Sequence, residues 1–236
     1  MQAYYNEPDV YAADWLESLI ALRLLSAGRV DRRKIEDVPA SDLDGYSQHH
    51  FFAGIGGWPL ALRLAGWPDD APVWTGSCPC QPFSSAGRGR GKREQCERHL
   101  WPVWRQRIAA RRPRVVFGEQ VAQAADWHAA VGDDMEADGY AFGSAYLPAL
   151  SVARDHPRFR FYYTGHAYRE GEPIRALDVE VARLQRARCV AESLVRSDGL
   201  PARMASMRGF GNAVDPEVAA AFIVSAHEAF VKTSLR

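Results

Sequence analysis

Neither sign of charge is in excess in this chain. Its 236 residues carry 29 Lys and Arg against 29 Asp and Glu, for a formal net charge of +0. That excludes a whole-molecule field that would draw it to a polyanion. Cysteine is scarce. Cys78, Cys80, Cys96 and Cys189 form no CxxC pair and have no matching histidine spacing, which argues against a structural zinc site. Long apolar runs are lacking, so no segment reads as a membrane span. Glu7, Asp9 and Asp14 precede any apolar run, unlike a secretory signal. A free thiol without an export signal leads to the expectation of a reducing, cytoplasmic setting. Repeats and low-complexity tracts are also missing. Hydrophobic residues make up 47% of the chain, which suits one sizeable core.

Charge is concentrated locally. Between Ala86 and Arg114 stand Arg88, Arg90, Lys92, Arg93, Arg98, Arg105, Arg107, Arg111, Arg112 and Arg114, against only Glu94 and Glu97. Such a stripe can grip phosphates although the molecule is neutral; it is also what a solvated helix face looks like.

Hydrophobic periodicity predicts alternating strands and helices. Strands are expected at Ala3–Asn6, weakly within Arg29–Val38, at His49–Ala53, at Val73–Thr75, and at Val115–Phe117 ending on Gly118-Glu119-Gln120. Tyr140–Tyr146 and Arg158–Thr164 follow as later strands. Helices are expected at Tyr11–Leu25, stopped by Gly28, then through Leu60–Leu64, at His99–Arg111, Ala122–Gly139 and Pro216–Val231. This alternation predicts an α/β fold: a mostly parallel sheet covered by helices on both faces. From Gly165 to Arg208 the pattern loosens, and residues 166–208 read as a small insert. Residues 1–165, completed by 209–236, form the main domain.

Five segments carry candidate chemistry. In Pro79-Cys80-Gln81-Pro82-Phe83-Ser84 the flanking prolines restrict the backbone, so the Cys80 thiol is held in a stiff turn. A nucleophilic sulfur beside the loop Gly87–Arg93 suits covalent chemistry on a polyanion; a buried cysteine in a tight turn is the plainer alternative. Phe52-Ala53-Gly54-Ile55-Gly56-Gly57 lies between a strand and a helix, where glycines let a ligand approach the backbone and the first helical amides. It also suits an ordinary tight turn. Glu119 sits at a strand end, where open α/β sheets bind ligands, although isolated strand-end glutamates are usually solvated. Arg158-Phe159-Arg160 in a strand places both guanidinium groups on one face. Gly211-Asn212-Ala213-Val214 precedes the last helix, where Asn212 could serve merely as a cap.

Taken together, these segments resemble the C5-cytosine DNA methyltransferase family, and most closely its compact phage-type members. The Cys80 hexapeptide resembles the family's PCQPFS motif, residues 52–57 its FxGxGG motif, and Glu119-Gln120-Val121 its ENV motif with Gln120 in place of asparagine. Arg158 and Arg160 resemble the end of QxRxR, with His156 where glutamine is usual, and residues 211–214 match GNAV. The likeness covers nearly the whole chain outside the insert. It implies a Rossmann-like S-adenosylmethionine-dependent methyltransferase fold, with S-adenosylmethionine as cofactor and double-stranded DNA as partner of a monomeric enzyme.

The resemblance also implies roles. Cys80 adds to cytosine C6, Glu119 holds the N3 and N4 edge of a flipped base, Arg160 contacts O2 and Arg158 braces the site. Phe52, Ala53, Gly54, Ile55, Gly56, Gly57, Leu100, Asn212 and Val214 line the cofactor. Gln81, Ser84, Ser85, Arg88, Arg90 and Arg93 would contact DNA beside the catalytic turn, with the Gly87–Arg93 loop closing over the base. In the insert, Arg175, Arg183, Arg186 and Arg188 are the candidates for sequence recognition. An insert of this size presents few side chains to a groove, so a recognition site of about two to four base pairs is expected.

One feature departs from the usual order. About fifteen residues separate Gly57 from Val73, too few for the two strand units that normally follow the glycine loop. Asn6–Ala13 and Val30–Ile35 look like those units, placed in front. Permutation would make Glu7 the ribose-binding carboxylate and Asp31 the acceptor of the adenine amino group. Three other functions fit the same residues: an RNA cytosine methyltransferase, a catalytically silent cofactor- or DNA-binding module, and transfer of a carboxymethyl group from a carboxylated donor. The last draws on Arg154 and His156.

Overall fold

The computed structural model describes residues 2–79, 100–122, 124–152, 158–167 and 213–234. Seven strands form one sheet: β1 (Gln2–Asn6), β2 (Gly28–Asp31), β3 (Tyr46–Phe51), β4 (Val73–Gly76), β5 (Val115–Val121), β6 (Tyr140–Pro148) and β7 (Phe159–Ala167). Their order across the sheet is β2-β1-β3-β4-β5-β7-β6. The first five run parallel, and β7 is antiparallel to both of its neighbours. This is the mostly parallel sheet that the alternation of elements predicts. The glycine-loop strand β3 is third in the chain, yet β1 pairs directly beside it and β2 lies outside β1. The two units that come early in sequence thus occupy the flank where a permuted chain would put them.

Among the described residues five helices cover the sheet: α1 (Val10–Ala21), α2 (Gly57–Leu64), α3 (Trp101–Arg111), α4 (Ala125–Ala137) and α5 (Pro216–Ser234). Asp9 caps α1 by accepting from the Ala12 amide at 3.0 Å, which satisfies a donor left open in the first turn. The helix ends at Ala21, four residues short of the expected Leu25. Arg23 turns left-handed at φ 60, and the Leu24 amide bonds back to the Leu19 carbonyl, closing the last turn. Gly28 does not stop the helix; it opens β2. A Cβ there would lie 2.1 Å from the Ala3 carbonyl oxygen and 2.8 Å from the Tyr5 ring, so close strand packing is what requires glycine.

Both faces of the sheet are apolar. On one, Trp74, Val116 and Tyr163 pack with Trp101, Trp104 and Ile108 of α3 and with Trp127 and Val131 of α4. On the other, Trp58, Leu62, Phe117, Tyr162, Val214, Val218 and Phe222 join α2 and α5. Leu16 and Leu19 of α1 cover Ala3 and Tyr5 in a third cluster. Other expected boundaries shift as well. β5 runs through Glu119 to Val121, since β7 supplies an antiparallel partner for residues 115–121. β7 continues to Ala167, taking in the first two residues of the expected insert.

Candidate functional site

The parallel strands β1, β3, β4 and β5 end on the same edge of the sheet, and most of the described candidate residues gather there. At the end of β1, buried Glu7 reaches across to the glycine loop. Its Oε2 accepts from the Gly54 amide at 2.7 Å and its Oε1 from the Asp9 amide at 2.9 Å. Burial pushes this carboxyl above its usual range, and the two amides oppose the shift. A contact across 47 residues therefore joins the segment placed in front to the loop it is expected to serve.

The loop itself is built for close approach. Phe52, Gly54 and Gly56 have φ of 51, 54 and 91, and a Cβ on Gly54 would meet nothing nearer than 4.0 Å. Gly57 is needed for a different reason. A Cβ there would come within 2.6 Å of the Val214 carbonyl oxygen, so the loop and the segment before α5 are pressed together. Phe52 packs edge-on to Trp104, and Leu100 lies against the same aromatic cluster. Ala53 is buried and Ile55 half-buried. A buried carboxylate, a left-handed glycine loop with open space at Gly54 and two flanking apolar side chains fit a nucleoside-bearing cofactor.

Asp31 ends β2, as expected, but its carboxylate is fully engaged. Oδ1 accepts from the Arg33 amide and Nε, both at 3.0 Å, and Oδ2 accepts from the Tyr4 hydroxyl at 3.0 Å and Arg33 Nη2 at 2.5 Å. An adenine amino group would have to displace one of these donors. Burial alone would raise this carboxyl, but Arg33 and Tyr4 outweigh it and hold it down at about 2. A carboxyl depressed in the folded state contributes stability above its unfolded pKa of about 4. That contribution of about 2 kcal/mol is fully present at pH 5 and is lost as the pH falls from about 4 to about 2. Urea unfolding of the parent and of Asp31→Asn at pH 5 and at pH 2.5 checks this: the gap between them should narrow at the lower pH.

The second half of the site lies on β5 and β7. Glu119 is buried opposite Tyr162 in the antiparallel register, and Arg160 Nε lies 2.9 Å from Glu119 Oε1. Arg158, Arg160 and Tyr162 alternate onto the face that Glu119 shares. Burial pushes Glu119 up; Arg160, Arg158 and a hydrogen bond from Ser77 pull it back. Burial also lowers Arg160, against the pull of Glu119. Gln120 turns to the neighbouring strand end, where its Nε2 donates to the Cys78 carbonyl at 3.1 Å. The residue that departs from the family motif thus ties β5 to the chain two residues before Cys80. Gly118 is obligatory here, since a Cβ would fall 2.0 Å from the Tyr163 ring.

The structure brings together Glu7, the 52–57 loop, Leu100 and Val214 on one side, and Glu119, Arg158 and Arg160 on the other. Cys80, Gln81, Ser84, Ser85, Arg88, Arg90 and Arg93 lie outside the described residues, as do Arg154, His156, Arg175, Arg183, Arg186, Arg188 and Asn212. Sequence reasoning missed Ser77 and Trp58, since the Ser77–Glu119 contact joins positions 42 residues apart and has no local signature. Among the described residues no group of three His, Cys, Asp or Glu side chains could hold a metal ion, and no helix is long and apolar enough to cross a membrane.

A mostly parallel seven-stranded sheet with a glycine loop at its carboxyl edge defines a Rossmann-like methyltransferase. The C-5 cytosine-specific DNA methylase family matches over residues 67–188, about half of the chain, and the chain belongs to that family. Curated proteins yield no match. Solved structures similar to it include a mutant of DNMT2 from Spodoptera frugiperda, at 12% identity and TM-score 0.49, covering 74% of this chain and 45% of that one. The Entamoeba histolytica methyltransferase EhMeth is similar at 11% identity and TM-score 0.46, with 75% and 48% covered. Dnmt2 of S. pombe is similar at 14% identity and TM-score 0.42, with 72% and 52% covered. This chain spans about half the length of each.

Proposed function

We propose that this protein is a DNA cytosine-C5 methyltransferase that acts through a covalent Cys80 adduct. The observation that carries the proposal is the pairing of buried Glu119 with half-buried Arg160 at 2.9 Å. It stands on the strand next to the one that leads to Cys80, with Gln120 bonded to the intervening chain. A carboxyl raised by burial and flanked by a guanidinium is a donor–acceptor pair suited to the N3, N4 and O2 edge of a pyrimidine.

Cytosine C5 is a poor nucleophile. Addition of the Cys80 thiolate to C6 makes C5 enamine-like while Glu119 supplies a proton to N3. A free thiol titrates near about 8.5, so Cys80 needs cationic neighbours or helix amides to ionise. S-adenosylmethionine, when bound, supplies an electrophilic methyl group on its sulfonium. Loss of the C5 proton to a water molecule then allows Cys80 to leave as thiolate, and Glu119 regains its proton from N3. Glu7 would accept from the cofactor's ribose hydroxyls, and the 52–57 loop, Leu100 and Val214 would enclose its remaining parts. A cytosine stacked in a duplex cannot reach this site, so the base must be flipped out.

Mass spectrometry of nucleosides from DNA and from tRNA, each incubated with the protein and S-adenosylmethionine, tests the proposal. 5-Methylcytosine in DNA is the expected product. Product in tRNA alone would make the enzyme an RNA methyltransferase. A cytosine heavier than the methylated one, formed with a carboxylated donor and not with S-adenosylmethionine, would reassign the donor. No product in any arm would leave a binding module.

The cofactor assignment has its own test. Glu7→Ala should weaken S-adenosylmethionine binding by about 1.5–3 kcal/mol, the loss of charge-assisted hydrogen bonds. Calorimetric titration measures it directly, and an unchanged affinity would remove Glu7 from the ribose site.

A further inference from the structure

Ser77 leaves the end of β4, the strand paired with β5. Its hydroxyl has two partners. The Trp58 indole Nε1 donates to Ser77 Oγ at 3.0 Å, and Ser77, one residue past the Gly76–Gly118 pairing of β4 with β5, stands beside Glu119 and bonds to its side chain. An indole N–H can only donate, so Ser77 must accept from Trp58, and the hydroxyl hydrogen is left for the carboxylate. Trp58 cannot easily yield. It is 2% exposed and packs in a stacked contact with Phe117 and edge-on to Tyr162. It also follows Gly57, the residue pressed against Val214. A directed chain of hydrogen bonds therefore runs from the glycine loop, through Trp58 and Ser77, to Glu119.

We propose that Ser77 is a positioning residue for Glu119, its hydroxyl aimed by Trp58 so that one carboxylate oxygen is fixed by Ser77 while Arg160 holds the other group of contacts and the remaining edge faces the base. The inference rests on reading Glu119 as the group that meets the cytosine. Its chemical consequence is specific. An O–H donated to a carboxylate favours the ionised form. Ser77 thus works with Arg160 and Arg158 against the burial of Glu119, while the neighbouring Tyr162 and Tyr163 stay neutral because burial pushes both phenols far up. The serine trims the carboxyl toward a value at which a proton can be both given and regained.

The titration of Glu119 in the free protein is the direct test, read from carboxyl carbon-13 shifts in protein labelled at glutamate and assigned by loss of the signal in Glu119→Gln. Ser77→Ala should raise the Glu119 midpoint by about 1 pH unit, the equivalent of one hydrogen bond to a charged group. Ser77→Thr, which keeps the hydroxyl, should restore it. Trp58→Phe should move it in the same direction by less, because the serine hydroxyl then turns freely. Ser77→Cys, close in volume and a weak donor, stands in should the alanine variant not fold. The alkaline limb of single-turnover transfer should move with the midpoint. A midpoint unchanged or lowered in both the alanine and cysteine variants would overturn the inference. Failure of the parent to modify any cytosine, with the midpoint still moved, would overturn the functional reading and leave Ser77 as the residue that sets Glu119.

Discussion

Cys80→Ser will show no transfer above background and will form no adduct with DNA that carries 5-fluorocytosine at the target position, while the parent protein is trapped on the same DNA. Fluorine at C5 cannot leave as a proton does, so once the Cys80 thiolate has added to C6 and C5 has taken the methyl group, the thioether to C6 stays bound. A serine hydroxyl is hardly ionised near neutrality and adds poorly to an aromatic ring. Cofactor and DNA affinity should change little, because the substitution keeps the size and shape of the side chain. Gel-shift and calorimetric titrations beside the trapping assay separate the two effects. An adduct in the serine variant, or transfer at the parent's rate, would remove Cys80 from the chemistry.

Glu119→Gln should lower single-turnover transfer by about 10²- to 10⁴-fold, the usual contribution of a placed proton donor. The amide can still hydrogen-bond to N3, so binding survives, but it cannot hand over a proton as the ring gains electron density. The same change removes the counter-charge of Arg160, 2.9 Å away. The variant should therefore also lose some stability, since a half-buried guanidinium is left without its carboxylate. Stopped-time quench assays at a temperature well below the variant's melting point keep the two losses apart. A rate within threefold of the parent would show that N3 is served by another group.

The permuted order is legible in the sequence alone, and for a physical reason. Connections in α/β units are short, so about fifteen residues between Gly57 and Val73 leave no space for two strands. The sheet order answers this by setting β1 beside β3 and β2 outside β1. Periodicity placed the buried parallel strands because apolar runs bounded by turn residues carry that signal strongly. It failed at element ends. The stop of α1 depends on a left-handed Arg23, which no residue preference announces. The role of Gly28 depends on a carbonyl of another strand 2.1 Å from a would-be Cβ.

Residue types and their chain order determined the class of fold, the family and the candidate roles of Glu7, the glycine loop, Glu119 and Arg160, because these reside in short motifs whose chemistry is local. The tertiary structure alone decided how they act on one another. The Glu7 hold on Gly54, the contact of Gly57 with Val214, the Gln120 bond to Cys78 and the Trp58–Ser77–Glu119 chain each join residues from different strands or helices. Such contacts follow from strand order and register, which place distant residues within hydrogen-bond reach. Spacing along the chain does not encode that proximity.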